Sequence, residues 1–90
     1  MSRLVISRRV GQSAFIGDKK LKLARYDEKS SVATVIYNET ALHVTLKSTV
    51  VIGDDVSIWI NTSSREGALS IAICAPRDLT ILRGELVWEQ

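Results

Sequence analysis

Leu69-Ser70-Ile71-Ala72-Ile73-Cys74 sets a large aliphatic side chain at every second position, the period of a strand with one face turned toward a core. Lys20-Leu21-Lys22-Leu23 repeats the pattern with lysines between leucines. Outward from these two segments, short runs rich in Val, Ile and Leu recur along the chain, separated by Gly, Asp, Asn and Ser. Breaks at Gly11, Gly17-Asp18, residues 27–30, residues 38–40, Gly53-Asp54, residues 62–67 and Pro76 leave nine predicted strands, at about 3–9, 13–17, 20–26, 32–37, 42–47, 49–53, 56–61, 69–74 and 79–83. Helix-length periodicity is absent before residues 83–90, which leave room for at most a short C-terminal helix. The expected fold class is all-β.

Ninety residues form one small domain, at a size where burial barely offsets chain entropy and where duplication or oligomerisation helps. A single cysteine, Cys74, excludes an intrachain disulfide. With one histidine and one cysteine the chain lacks the ligands for a metal cluster and the bases for a nucleophilic triad. The expectation is a non-enzyme with no cofactor and no metal, His43 being a strand-surface residue and Cys74 an inert thiol. No long apolar stretch follows the start, so neither a signal peptide nor a membrane span is expected and the predicted location is cytoplasmic. Net charge is only +2, but Arg3, Arg8 and Arg9 cluster near the start with Lys19, Lys20 and Lys22 after them, whereas acids gather at turns such as Asp54-Asp55. Such clustering suits either a charge-protected edge strand or a nucleic-acid surface.

Phe15-Ile16-Gly17-Asp18 returns as Val51-Ile52-Gly53-Asp54, so that Ile16 and Ile52 stand 36 residues apart, a period at which internal duplication is sought. Each copy continues with an alternating strand, a polar turn (Asp27-Glu-Lys-Ser-Ser31 or Thr62-Ser-Ser-Arg-Glu-Gly67) and a second alternating strand. Upstream, Leu42 to Lys47 aligns with Leu4 to Arg9 if two residues are dropped before the turn. The repeat halves run from about 3 to 40 and from 41 to 88 within a single domain, 1–90. In this alignment Leu46 and Lys47 replace Arg8 and Arg9, and the first copy has only Asn38-Glu39-Thr40 where the second has a further strand.

The chain ends carry two related strips, Arg3-Leu-Val-Ile-Ser-Arg-Arg-Val-Gly11 and Ala75-Pro-Arg-Asp-Leu-Thr-Ile-Leu-Arg-Gly-Glu-Leu86. Each puts an arginine two residues after an isoleucine, Ile6 with Arg8 and Ile81 with Arg83, hence on one face of a strand. With the Gly-Asp turn after Phe15-Ile16, these segments resemble the carbon storage regulator family (CsrA/RsmA), small bacterial β proteins that repress translation by binding single-stranded GGA motifs in messenger RNA leaders. The resemblance covers roughly the first 18 and last 40 residues.

What the resemblance implies is a set of interlocked antiparallel sheets, in which first and last strands pair into the sheet of the other subunit and an RNA site joins one first strand to the partner's fifth. For a duplicated chain this becomes a single-chain pseudodimer in place of a homodimer, with the N-terminal strand in the sheet of the second copy, the C-terminal strand in that of the first, and one complete site. The resemblance places Ile6, Arg8 and Arg9 on the first-strand RNA surface and Ile81 with Arg83 on the fifth. Arginine's planar fork suits guanine, phosphate and base stacking, and the isoleucines would give apolar ground for unstacked bases. Implied partners are messenger leaders with GGA loops and decoy small RNAs carrying the same motif. The chain departs from the family where Gly84 follows Arg83 and only Trp88 and its neighbours remain for a helix, and where Leu82 interrupts the polar character of the last strand. The rival reading is a diverged protein-interaction module that contacts an antagonist or a family member through strand edges without binding RNA.

Overall fold

A computed structural model describes residues 2–53, 55–78 and 81–83, with backbone alone for Ser2, Leu82 and Arg83. The described residues form nine strands: β1 Ser2–Arg9, β2 Ser13–Ile16, β3 Lys19–Asp27, β4 Val32–Tyr37, β5 Thr40–Thr45, β6 Thr49–Gly53, β7 Val56–Thr62, β8 Ala68–Ala75 and β9 Ile81–Arg83. The all-β expectation is met. The short C-terminal helix expected in residues 83–90, and the opening of the last strand at 79–80, lie outside the described residues apart from Arg83, which ends β9.

One strand moves by two residues at both ends, β5 running over Thr40–Thr45 where 42–47 was expected. β5 begins at Thr40 and not at Leu42, because Asn38 (φ 50°) and Glu39 (φ 69°) turn the chain in two left-handed residues and leave Thr40 paired with Tyr37. Two consecutive positive φ values are the mark of the tight hairpin turn whose twist matches its strands, and asparagine tolerates that conformation better than most residues.

All strand pairs are antiparallel and form two sheets, ordered β1-β8-β7-β6 and β5-β4-β3-β2-β9. The first strand therefore belongs to the sheet built from β6 to β8, and the last strand to the sheet built from β2 to β5. β1 pairs along its whole length with β8, from Ser2 opposite Ala75 to Arg9 opposite Ala68. β9 pairs with β2, Ile81 opposite Ile16 and Arg83 opposite Ala14. The chain thus crosses between sheets after β1, after β5 and after β8.

Alternation turns Ile16, Leu21, Leu23, Val35 and Val44 of one sheet and Ile58, Ile60, Ile71 and Ile73 of the other into a single core where they are fully buried. Each aliphatic removed from water contributes on the order of 1.5–3 kcal/mol. Gly53, at the end of β6, lies against the Tyr37 ring from β4 in the other sheet.

Strand register bears on the repeat. Arg8 stands opposite Leu69, and Val44 opposite Ala33, so both members of the pair are displaced by the same 36 residues that separate Ile16 from Ile52. The crossing turns agree: Gln12 N–H donates to the Arg9 carbonyl at 2.9 Å, and Ser48 N–H to that of Thr45 at 3.3 Å. At an offset of 36 residues Arg8 falls on Val44 and not on Leu46, and Gly11 (φ 96°) on Lys47 (φ 66°). No residues need be dropped. The hairpin turns differ by one position, since Ile16 pairs with Lys19 whereas Gly53 pairs with Val56 after a register irregularity in β6.

Burial of Tyr37 raises its phenol pKa above the usual 10, with the Asp18 carboxylate adding to the effect. The folded chain holds this proton more tightly than the unfolded one. The associated stability is fully present below pH 10 and is lost as pH rises through the folded-state value. Denaturant unfolding followed from pH 8 to 11 should show a steeper alkaline loss for the native chain than for Tyr37→Phe; identical profiles would contradict the assignment.

Candidate nucleic-acid interface

β1 alternates as its sequence requires, with Ile6 and Arg8 on its inward face and Arg3 and Arg9 exposed. Ile6 and Arg8 are each 7% exposed, and Arg8 is the one buried charged side chain among the described residues. Ile6 joins the core cluster. Shared strand face was legible in advance; that this face is the inward one was not.

A buried guanidinium requires acceptors. Arg8 Nε donates to the Ser7 carbonyl at 2.7 Å and Nη1 to the Ser13 carbonyl at a longer 3.4 Å. Ser13 opens β2 in the other sheet, so this side chain ties the first strand to the opposite layer. The four residues between are held tightly: Arg9 N–H donates to Gln12 Oε1 at 2.9 Å, Gly11 N–H to the Leu23 carbonyl at 2.8 Å, and Leu23 N–H to the Gln12 carbonyl at 3.0 Å. Gly11 at φ 96° occupies a conformation that a side chain strains.

The same strand β2 receives β9. Ala14, next to the carbonyl that Arg8 contacts, pairs with Arg83, and Ile81 is half-buried against the core. The ends of the chain therefore meet on β2, Arg8 from one sheet and the backbone of Arg83 from the other. The side chain of Arg83 lies outside the described residues. Of the five residues named from sequence, Arg9 is exposed, Ile6 and Arg8 lie inward, Ile81 is half-buried, and Arg83 is located by its backbone.

Sequence reasoning missed Arg65. Residues 63–67 connect β7 to β8 and fold back over β1: Ser63 Oγ shares a hydrogen bond with Ser7 Oγ at 3.3 Å, Arg65 N–H donates to Ser63 Oγ at 3.2 Å, and Ala68 N–H donates to the Arg65 carbonyl at 3.2 Å. A polar cleft of about 250 Å³ results, lined by Ser7, Arg8, Arg9, Gln12, Arg65 and Ala68. Among the described residues its charged lining is Arg8, Arg9 and Arg65. The clue was the expected pairing of the N-terminal strand with the second half, which sets Arg9 opposite Ala68 and so brings the preceding turn alongside.

Displaced by 36 residues, the counterparts of Ser7, Arg8, Arg9, Gln12 and Arg65 are His43, Val44, Thr45, Ser48 and Lys29. Val44 is fully buried, and His43 is engaged with Thr34, its Nδ1 lying 3.1 Å from Thr34 Oγ1. Near Lys29, hydrogen bonds from Ser30 and the Lys29 N–H hold the Asp27 carboxyl below its ordinary pKa. Two of the three arginines are thus replaced by uncharged residues at the corresponding place, where Lys29 keeps the third positive charge.

Elsewhere the chemistry is thin. No group of three metal-ligating side chains occurs among the described residues, Cys74 is a half-buried free thiol, and no described helix is long and apolar enough to cross a membrane. No family model matches the chain, and searches of curated proteins and of solved structures return no match.

Because Val44 fills the position corresponding to Arg8 with an apolar side chain, Arg8→Met should keep the fold. Exchange of a buried charge for a hydrophobe of similar length is often neutral or stabilising by about 1–4 kcal/mol. Thermal unfolding should give a midpoint equal to or above that of the native chain, and a large drop would show that the guanidinium holds the two sheets together.

Proposed function

We propose that the chain is an RNA-binding post-transcriptional regulator, an internally duplicated relative of the carbon storage regulators that recognises GGA-bearing single-stranded loops in messenger leaders and represses their translation. The observation that carries the reading is the meeting of the two chain ends on β2, Arg8 reaching the Ser13 carbonyl while Arg83 pairs with the adjacent Ala14. Two strands that each bear an isoleucine-arginine pair thereby share one neighbour. The exchange of β1 into the sheet of β6 to β8, and of β9 into the sheet of β2 to β5, further supports a single-chain pseudodimer.

In this reading Arg9 offers its exposed fork to a guanine edge or a phosphate, and Arg8 works from below, fixing the seam between sheets beside the bound bases. Ile6 and Ile81 support the apolar floor from the core side. Backbone groups on the outer edge of β9, a short edge strand beside β2, would read base edges, and the bases would come from a loop because only unpaired bases can be splayed onto a protein surface. The function needs neither cofactor nor metal. Small decoy RNAs with the same motif would compete for the same site.

A second reading draws on the open edge of the four-stranded sheet. Among the described residues β6 has no outer neighbour corresponding to β9, and its Val51 is 74% exposed. An edge strand of this kind can add a strand from another protein, which suits a protein-interaction module without RNA binding.

The test is titration of a GGA hairpin against the same hairpin carrying CCU. Arg9→Ala and Arg83→Ala should each weaken GGA binding by about 1–3 kcal/mol, the value of a good arginine-base contact, while Lys47→Ala does far less. Light scattering should give a mass near the 10.0 kDa of one chain, and calorimetry one hairpin per chain. Equal affinity for the GGA and CCU hairpins, or no binding of either, would replace the RNA reading with the second one.

A further inference from the structure

The outer face of the four-stranded sheet takes no part in the meeting of chain ends on β2. On β8 this face consists of Ala68, Ser70, Ala72 and Cys74, while the larger Leu69, Ile71 and Ile73 turn into the core. An indole stands beside this shallow floor. Trp59 of β7 is half-buried, points outward between the core residues Ile58 and Ile60, and pairs with Ala72, which pairs in turn with Val5. Ala72 is 3% exposed yet stands outside the core cluster, so its cover comes from these outward neighbours. A hollow of about 270 Å³ opens beside Trp59, and its lining includes Arg3, Thr49, Ser57, Ala72 and Cys74. We propose that Trp59 is a stacking platform for a base of the single-stranded RNA that flanks the recognised loop, with Arg3 placed for the phosphate beside that base. The proposal rests on the RNA reading for the identity of the strand and adds a contact surface to it.

Indole offers an unpaired base a broad flat surface, and such stacking tolerates any base because each has a π face. Charge favours a nucleic-acid strand over an apolar protein segment here. Alternation puts Arg3, Val5, Ser7 and Arg9 on this outward face of β1, so a cation stands near each end of the strand, Arg3 opposite Cys74 and Arg9 opposite Ala68. Six residue steps separate the two arginines by roughly 20 Å, enough for several nucleotides. A strand leaving the exposed Arg9 therefore has a path along β1 to Arg3 and Trp59. The acid nearest to Trp59 along the chain, Asp55, belongs to the β6–β7 turn, toward the opposite edge of the sheet from β1.

The repeat supplies an internal comparison. Displaced by 36 residues, Ala72 and Cys74 fall on Ile36 and Asn38, and Arg3 falls on Glu39. Ile36 pairs with Lys22 where Ala72 pairs with Trp59. Ile36, Asn38, Glu39 and Lys22, together with Asp18 and Lys20, line a hollow of about 330 Å³ on the five-stranded sheet. The framework thus forms a hollow at both places, and it puts an indole with a guanidinium in one and ammonium groups with carboxylates in the other.

Two hairpins with the same GGA loop separate the surfaces, one bare and one carrying a single-stranded uridine tail of about ten nucleotides. Trp59→Leu should weaken binding of the tailed hairpin roughly ten-fold, within the range for one stacked base, and leave the bare one unchanged. Trp59→Phe should recover most of the loss, since the smaller ring still stacks. Arg3→Gln should lower the slope of log affinity against log salt by roughly 0.7 for the tailed hairpin alone, the value of one single-strand phosphate contact. Unfolding midpoints of the variants verify that the fold is kept.

A second arm reads the emission of Trp59 in a Trp88→Phe chain, where it is the sole tryptophan. The tailed hairpin and the uridine strand alone should quench it, and the bare hairpin should not. Quenching by the uridine strand in a chain that does not distinguish GGA from CCU would uphold the platform and remove the GGA reading. Equal weakening of both hairpins by Trp59→Leu, or unaltered emission with the tailed hairpin bound, would overturn the platform even where GGA is recognised. Unaltered emission with every strand would overturn it as well. So would a mass of two chains that returns to one with Trp59→Leu, which would make this face a contact between copies.

Discussion

Everything at the candidate interface depends on the pairing of β1 with β8. Eight residue pairs, Ser2 with Ala75 through Arg9 with Ala68, join the start of the chain to a strand some sixty to seventy positions later. This pairing covers the β8 edge with Ile6 and sends Arg8 toward β2. It also carries Arg9 to the turn that holds Arg65. Such long-range antiparallel pairing closes a large loop before it returns any hydrogen bonds, so folding of this chain is expected to be slow for its size. It also makes the two sheets interdependent, because each contains a strand delivered from the far side of the other.

The alternation that predicts strands was legible almost throughout, because a residue facing the core and the next facing water leave a period of two that composition alone does not produce. Leu69 to Cys74 and Lys20 to Leu23 are examples, and their inward members Leu69, Ile71, Ile73, Leu21 and Leu23 are all buried. The start of β5 was misplaced for a local reason: Asn38-Glu39-Thr40 reads as a three-residue polar break, yet two left-handed residues complete the turn. The register of the repeat depends on that point. Once β5 begins at Thr40 the two-residue gap vanishes, and Arg8 corresponds to a core valine.

The site was less legible than the fold. Periodicity states that Ile6 and Arg8 share a face and is silent on which face turns inward, because that is decided by the neighbouring sheet. Arg65 lies in a stretch, Thr62-Ser-Ser-Arg-Glu-Gly67, whose composition reads only as a polar turn. Its place beside Arg9 follows from strand pairing and from the Ser7 to Ser63 hydrogen bond, neither of which leaves a local trace.

Arg8 and Val44 together decide how the interface should be understood. The framework has an apolar solution at this position, since Val44 is wholly buried in the same register opposite Ala33. An arginine there must be desolvated, and the main-chain carbonyls of Ser7 and Ser13 at the first crossing are among the partners that offset that cost. The charge is placed at the one crossing that has both β9 on the adjoining strand and an arginine-bearing turn above it. At the other crossing the β6 edge is open among the described residues, the turn carries Lys29 beside Asp27, and the buried residue is neutral. Arg8, more than the aliphatics that surround it, is therefore what distinguishes this crossing from the one that buries Val44.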